Sequence, residues 1–543
     1  MKCESSFSGE LFDQCCGIVV VKKHRFRKYG IDLFIKVILM RLVNIACFTA
    51  CLFFICSLNL RAQPKELGIF EGHIDIGTDV KPGSSVFIRQ TGQYVISGAG
   101  YNIWADHDEF QFLWKKMKGD FILSTRAEFV GPKGVEEHRK VGWMVRKNLD
   151  GKAPHVNAVV HGDGLTSLQY RKSAGEQTME IKSKLTHANI IELERKGNTY
   201  IMRMAKYGEP FVVDSVDLDL GDEVYVGLFV GSHNKDVLET GVFTNTSISV
   251  PAWKGLVPYR DYLGSRIELL DVTSGSREVI YTAAESLQAP NWTTDNKSLI
   301  YNSKGSIYKF DLSKKVPVLI NTGEVKNNNN DHVLSFDGTM LGLSSSVQKA
   351  GGSVIYTVPV AGGTPKQITP KGPSYLHGWS PDAQKLIFTG QRNDEFDIYE
   401  IPAKGGKEKR LTDAKGLDDG SEYSPDGQYI YFNSNRTGEM RIWRMKPDGT
   451  QQEALTNGDF HDWFPHVSPD GKWIVFISFL KNEVAEDDHP FYKHVYLRMM
   501  PVGDWKNPKV IGYLYGGQTT INSPSWSPDS KKIAFVSNSA DIR

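Results

Sequence analysis

Cysteine is absent from most of this chain. All six cysteines lie within the first 56 residues, at Cys3, Cys15, Cys16, Cys47, Cys51 and Cys56. If that segment is removed, the mature protein has no thiol, and disulfides, thiolate catalysis and cysteine-metal sites are excluded from it. No long apolar run follows residue 60, so no later segment is expected to span a membrane.

The sequence also lacks a charge imbalance and several catalytic motifs. It has 64 basic and 63 acidic residues in 543, which gives no reason to propose a nucleic-acid partner. A Gly-x-Ser-x-Gly elbow, a phosphate-binding Gly-x-x-x-x-Gly-Lys-Ser/Thr loop and a His-Glu-x-x-His zinc motif are missing. We therefore do not expect a serine peptidase, a P-loop enzyme or a zinc peptidase.

The N-terminus is interpreted as a leader, residues 1–62. Residues 1–39 mix apolar, polar and basic residues. From Met40 the sequence has one arginine, then an apolar core, and then a predicted cleavage site after Ala62. This pattern predicts a signal peptide at about 40–62, with Met40 as the true start. The protein is then periplasmic or secreted, with no membrane span after cleavage. An uncleaved anchor is the alternative.

A unit of about 44 residues recurs through the second half of the chain. Each copy has a short strand, a Ser-Pro-Asp-Gly-like turn and an apolar strand, as in YSPDGQYIYFNS from Tyr423. The turn aspartates are 42, 45, 44, 44 and 59 residues apart, and they are Asp295, Asp337, Asp382, Asp426, Asp470 and Asp529. Four short strands at this period indicate propeller blades. Each aspartate is predicted to be a structural residue that caps its own turn.

The repeats predict a six-bladed propeller over residues 262–543. The sixth unit ends after its second strand, and residues 267–282 read as the two strands that it lacks. A split last blade would close the ring and protect its open edges. The long fifth interval holds an insertion at 481–494, whose aromatic end is a candidate contact surface.

The repeat resembles that of TolB-type six-bladed propellers. The resemblance rests on W/Y-S-P-D-G-x-x-I-x-F-x-S, a following I-Y and a closing L-T, and it covers half of the chain. It implies a periplasmic or secreted propeller that binds partners in an envelope assembly, and it does not imply an enzyme. Because the match is to a repeat, it predicts the fold more strongly than the function.

Residues 66–250 are predicted to form a separate all-β domain, joined to the propeller by a linker at 251–261. Nine or more apolar or alternating runs with turns between them favour a two-sheet sandwich or jelly roll. The stretches GWMVR and VVHGDGLTSLQYR resemble concanavalin-like sandwiches, which implies a domain that could bind carbohydrate.

Two features of this domain have functional interpretations. One is a sugar platform, for which the candidates are Trp104, Trp114, Trp143, His161 and Asp163. The simpler alternative places Trp143 in the core and His161 and Asp163 in a hairpin turn. The other is an acidic run at 106–109, which lacks the spacing of a calcium loop and is expected to be solvated.

The segments that precede the first strand of each blade should meet at one rim of the channel. They supply the candidate ligand-binding residues His332, His377, Asp418, Asp419, His461, Asp462, Trp463, His466 and Gln518. His332 and His377 stand five residues before their turn aspartates and should occupy equivalent positions. The simplest interpretation is a set of polar loop residues that hydrate the channel.

The resulting hypothesis is an exported, non-catalytic binding protein without a cofactor. It would bind an envelope or secreted protein, or a glycan, at the propeller rim. The alternative is a metal-dependent polysaccharide lyase or glycan-processing enzyme that holds a divalent metal at the propeller rim through His332, His377, His461 and His466. Oligogalacturonate lyases, a related propeller class, use such a metal to abstract a proton from a sugar ring.

Overall fold

A computed structural model describes residues 66–78, 80–131 and 136–541. The predicted leader, its cleavage site and Met40 lie outside these residues. Within them no helix is long and apolar enough to cross a membrane. Apart from one turn of 3₁₀-helix at Gln348–Ala350, every described element is a strand, so the chain is all-β.

Residues 66–249 form two seven-stranded antiparallel sheets. In chain order the strands are β1 (Gly72–Ile76), β2 (Ser84–Ile88), β3 (Gln93–Gly100), β4 (Ile103–Trp104), β5 (His107–Asp108), β6 (Phe110–Lys118), β7 (Phe121–Val130), β8 (Lys140–Arg146), β9 (His155–His161), β10 (Thr166–Arg171), β11 (Met179–Lys182), β12 (Ile190–Lys196), β13 (Thr199–Ala205), β14 (Val212–Asp217), β15 (Glu223–Gly231) and β16 (Asn234–Ser249). One sheet has the order β1-β6-β15-β8-β9-β10-β11, and the other β14-β13-β12-β7-β16-β3-β2.

The two sheets share one apolar core. Successive side chains of a strand point to opposite faces, and the inward ones are fully buried, among them Leu113 and Trp143 of the first sheet and Leu193 and Tyr200 of the second. Trp143 is therefore a core residue, as the simpler interpretation held. The relationship to concanavalin-like domains stays a prediction.

The outer face of the first sheet is covered by the β4–β5 hairpin. Ile103 packs against Met144 beneath it. Asp108 is fully buried, and its carboxylate lies 3.2 Å from Arg146 and 2.8 Å from Arg171. The expectation of a solvated acidic run was wrong for Asp108, because two arginines from distant strands neutralise it inside the fold.

The propeller has six blades. Blade 1 contains β19 (Gln288–Trp292), β20 (Ser298–Ser303), β21 (Ser306–Asp311) and β22 (Val316–Leu319); blade 2 contains β23 (Asn328–Leu334), β24 (Met340–Val347), β25 (Gly352–Pro359) and β26 (Lys366–Gln367); blade 3 contains β27 (Ser374–Trp379), β28 (Lys385–Arg392), β29 (Glu395–Pro402) and β30 (Lys409–Arg410); blade 4 contains β31 (Asp418–Tyr423), β32 (Ile430–Ser434), β33 (Arg441–Met445) and β34 (Glu453–Ala454); blade 5 contains β35 (Phe460–Val467), β36 (Trp473–Leu480), β37 (Lys493–Pro501) and β38 (Lys509–Gly516).

Blade 6 is split between the two ends of the propeller sequence, as predicted. Its strands are β17 (Gly264–Asp271), β18 (Arg277–Ala283) and β39 (Lys532–Ser539). β17 pairs antiparallel with β39 over their whole length, and Trp526 bridges to Ile533 on the inner side. This pairing closes the ring and leaves neither strand as an open edge.

Candidate functional site

The first strand of each blade lies nearest the propeller axis. β19, β23, β27, β31 and β35 contact one another in turn around the ring, and β19 also contacts β39. The nine predicted ligand-binding residues lie in these strands or, for Gln518, just after β38, and each is at most 8% exposed. The side chains predicted at a rim therefore form a buried wall of the channel.

The six turn aspartates hold their own turns. In every blade the aspartate Oδ1 accepts a hydrogen bond of 2.6 Å from the serine or threonine hydroxyl two residues earlier. It also accepts one from the backbone N–H two residues later. A repeated local bonding pattern explains why the residue recurs.

The segment 518–523 contacts the inner strands of blades 2 and 5, which lie on opposite sides of the six-bladed ring. Ser523 donates a hydrogen bond of 2.6 Å to the carbonyl of His332 in blade 2. The imidazole of His466 in blade 5 bonds the Ile521 carbonyl through Nε2. The amide oxygen of Gln518 accepts a bond from Asn522 within the same segment. His332, His466 and Gln518 therefore all take part in bonds that hold segment 518–523, which we call the channel plug.

The four histidines of the metal hypothesis have separate protein partners. His332 Nε2 lies 3.2 Å from the Ile300 carbonyl, and burial lowers the pKa of this histidine to about 4. His466 bonds Glu422 through Nδ1, and the Nδ1 of His461 faces the Met440 N–H at 3.4 Å. No three His, Cys, Asp or Glu residues in the described part of the chain are arranged to hold one metal ion.

His377 forms a buried ion pair. Its Nε2 lies 3.0 Å from Asp419 Oδ1. Burial alone would lower the pKa of His377, but the Asp419 carboxylate outweighs that effect and raises it. In the same pair, burial would raise the pKa of Asp419, and His377 lowers it to about 2. Nearby, burial raises the pKa of Asp331 to about 6.

The remaining predicted residues are also engaged within the blades. Asp418 accepts a bond of 2.7 Å from Arg436, and Asp462 accepts one of 2.6 Å from Ser478. The Trp463 ring packs 4.5 Å from the ring of His489, which belongs to the insertion at 481–494. The insertion therefore lies against this end of the channel.

The opposite mouth, where the six turns lie, contains an open pocket. Its volume is about 270 Å³. Its walls are mostly apolar, and their main contributors are Trp292, Trp379, Trp526, Pro425, Pro469 and Pro528. We call this the tryptophan pocket. Of the predicted ligand-binding residues, none lines it, although His332 and His466 directly precede Val333 and Val467 of its wall.

The walls of the tryptophan pocket are fixed by bonds between blades. The indole N–H of Trp379 donates to the Val333 carbonyl at 2.9 Å, and that of Trp526 donates to the His466 carbonyl at 3.0 Å. Phe336 also lines the pocket and is 39% exposed. It replaces the proline of the Ser-Pro-Asp turn in blade 2.

The sequence contains a signal for this pocket, which is a tryptophan at one fixed position of the repeat. Above, this position served only to predict the blades. Trp292, Trp379 and Trp526 each stand three residues before their turn aspartate. Residues at the same position of the repeat lie at the same end of the channel in every blade, so these three tryptophans are expected to meet there. The sugar platform has no such support, because Trp143 is in the core and Asp163 caps its own turn through the Leu165 N–H.

The family model of the TolB β-propeller domain, PD40, matches residues 371–490. An uncharacterized protein of Agrobacterium fabrum is 42% identical over 273 residues, which cover 50% of this chain and 92% of that protein.

Two solved structures are also similar. A TolB-like protein from Agrobacterium tumefaciens is 42% identical, with 51% of this chain and 99% of that chain covered and a TM-score of 0.49. TolB from Acinetobacter baumannii is 17% identical, with 60% and 79% covered and a TM-score of 0.38. With the repeat, the split blade and a relative that is matched over nearly its whole length, the chain belongs to the TolB-type β-propeller family.

Proposed function

We propose that this protein is an exported, non-catalytic binding protein whose propeller takes a segment of a partner protein into the tryptophan pocket. The observation that carries the proposal is a concave, apolar pocket with walls that are bonded in place before any partner arrives. Pre-formed apolar pockets are typical binding sites, and a rigid site loses little entropy on binding.

The chemistry of the pocket favours a protein segment. About 270 Å³ accommodates one or two large apolar side chains. Tryptophan and proline surfaces bury such side chains without needing polar partners, and buried anchors of this kind contribute most of the affinity in protein interfaces. The predicted signal peptide at 40–62 would deliver the protein to an envelope or secreted partner.

The contacts of the histidines do not favour the lyase. His332, His377 and His466 are each bound to a different protein group. A shared metal would need several of these nitrogens to turn toward one point, which would break the bonds that hold the channel plug. The binding protein is therefore the function that the geometry supports.

The proposal is tested by site-specific photo-crosslinking in the cells that produce the protein. A photoreactive phenylalanine analogue at Phe336 should yield a discrete adduct with one partner protein. Tyr262 is a matched control, since it is also aromatic and 39% exposed but directly follows the linker and packs against Phe491 of the insertion, away from the tryptophan pocket. Phe336→Asp should abolish co-purification of that partner without lowering the melting temperature. Equal adducts from both positions, or no adduct from position 336, would refute the proposal.

A further inference from the structure

A cleft of about 880 Å³ lies where the two-sheet region meets blade 6 of the propeller. One wall comes from β6 and β16 and from the turn between β2 and β3, and the other from β17 and β18. We call it the interdomain cleft. Its volume is within the range of small-ligand sites, which occur preferentially between domains.

Hydrogen bonds connect the two walls of the cleft. The Arg266 guanidinium donates to the Ser249 hydroxyl at 3.1 Å and to the Ile248 carbonyl at 2.9 Å. The Asn245 amide donates to the Gly275 carbonyl at 2.8 Å. The end of β16 is therefore hydrogen-bonded to β17 and to the β17–β18 turn. These bonds fix the shape of the cleft.

The acidic groups of the cleft are largely committed. Glu268 forms an ion pair with Arg277 at 2.8 Å. Asp271 accepts bonds from the backbone N–H and the hydroxyl of Ser274. Glu278 lies 3.8 Å from Lys315. Asp541 also lines the cleft and, like Glu268, attracts Arg266. The wall holds six Lys and Arg residues against four Asp and Glu residues, so it carries an excess of positive charge.

Three cations that line the cleft stand outside these close ion pairs. Lys115, Arg266 and Lys532 lie in its wall. None of the three forms an ion pair within 4.0 Å with Glu268, Asp271 or Glu278. Burial also lowers the pKa of Arg266, which shows how poorly this guanidinium is solvated. An anion in the cleft would offset the excess positive charge of the wall, because charges that are partly withdrawn from water are stabilised by an opposite charge.

The uncharged part of the wall narrows the class of anion. Asn245, Thr246 and Ser247 present amide and hydroxyl groups, which exchange hydrogen bonds with ligand hydroxyls. Phe87 and Met117 present apolar surface, which can cover the C–H face of a sugar ring. A ligand that has negative charge, many hydroxyls and apolar ring faces matches all three kinds of wall.

We propose that the interdomain cleft binds an acidic oligosaccharide, with Lys115, Arg266 and Lys532 as the residues that recognise its anionic groups. The anionic groups are carboxylates or sulfates, which the same cations would bind. This site is separate from the tryptophan pocket, and it does not rest on the function proposed for that pocket.

Isothermal titration of the full mature chain tests the proposal with three probes. These are trigalacturonate, a sulfated heparin tetrasaccharide and neutral cellotetraose. We expect one or both anionic probes to bind, with an affinity that falls as salt is raised, and the neutral probe not to bind. Binding of only one anionic probe identifies the anionic group. No binding of either, or equal binding of the neutral probe, overturns the proposal.

Variants then locate the site. Lys115→Gln with Lys532→Gln should weaken anionic binding about tenfold or more, because two cations are lost from the wall. Arg266 is left intact, since it also holds Ser249 and Ile248. Lys407→Gln, at an exposed lysine of blade 3, is the matched control and should change nothing. Unchanged affinity in the double variant overturns the proposal, whereas Phe336→Asp should keep saccharide binding even if the tryptophan pocket has no partner.

Discussion

At the scale of single residues, the serine of each Ser-Pro-Asp turn has as much importance as the aspartate. Ser424 is 6% exposed, and its hydroxyl donates to Asp426 at 2.6 Å while it accepts from the Tyr429 N–H at 3.0 Å. The local sequence predicts this arrangement because every partner lies within five residues. It cannot predict the partners of His332 or His466, which come from the neighbouring blades and from segment 518–523.

Ser424→Ala should lower the free energy of unfolding by about 1 kcal/mol. The substitution removes one hydrogen bond to Asp426 and leaves the Tyr429 N–H without its side-chain acceptor. Urea unfolding measures the loss. Ser173→Ala, at an exposed serine of the two-sheet region, is the control and should have no measurable effect. Equal stability of the two variants would show that the turn hydroxyl does not stabilise the blade.

At the scale of elements, predictability follows the distance between partners. In blades 1 to 5 each strand pairs with its neighbours in sequence, so the repeated turns and short strands predict these blades and their order. In the two-sheet region β7 pairs with β12 and β16, and β6 pairs with β1 and β15. Alternating apolar residues predict that such strands exist but do not specify their partners. The burial of Asp108 in the β4–β5 hairpin could not be predicted for the same reason, because its partners Arg146 and Arg171 come from β8 and β10.

Asp108→Asn should destabilise the two-sheet region strongly. The change leaves Arg146 and Arg171 buried without a counter-charge, and both side chains are fully buried. Removal of one member of a buried ion pair typically costs about 3–5 kcal/mol. Urea unfolding of the variant gives the value. Asp106→Asn is the control, because Asp106 belongs to the same hairpin and is solvent-exposed. A loss below about 1 kcal/mol, the usual limit for exposed ion pairs, would contradict the role of Asp108 as a buried anchor.

At the scale of the whole molecule, blade 5 is joined to the second sheet by an aromatic and ionic interface. Phe211 packs against the ring of Tyr513 at 4.8 Å, and the Tyr513 hydroxyl donates to the Glu209 carbonyl at 2.6 Å. Beside them, His494 Nε2 of β37 lies 2.9 Å from the Glu192 carboxylate of β12. The two-sheet region and the propeller should therefore unfold together rather than as independent bodies.

The His494–Glu192 pair makes this interface sensitive to pH. Burial would lower the pKa of His494, but Glu192 outweighs that effect and raises it above 6.5. The groups around the imidazole are Glu192, Glu194, Arg203 and the Tyr515 ring. A raised pKa in the folded state means that the stabilisation is complete below about pH 6.5 and is lost as pH rises through the folded pKa.

His494→Gln should therefore be less stable than the natural protein by about 1.5–3 kcal/mol near pH 6, the range of a hydrogen bond to a charged group. The difference should shrink toward alkaline pH, because neutral His494 no longer attracts Glu192. Urea unfolding from about pH 6 to about pH 9 measures it, with exposed His73→Gln as the control. If the difference stays constant over this range, His494 contributes packing alone. If it grows, the pair is not charged in the folded protein and the ionic account of the interface is wrong.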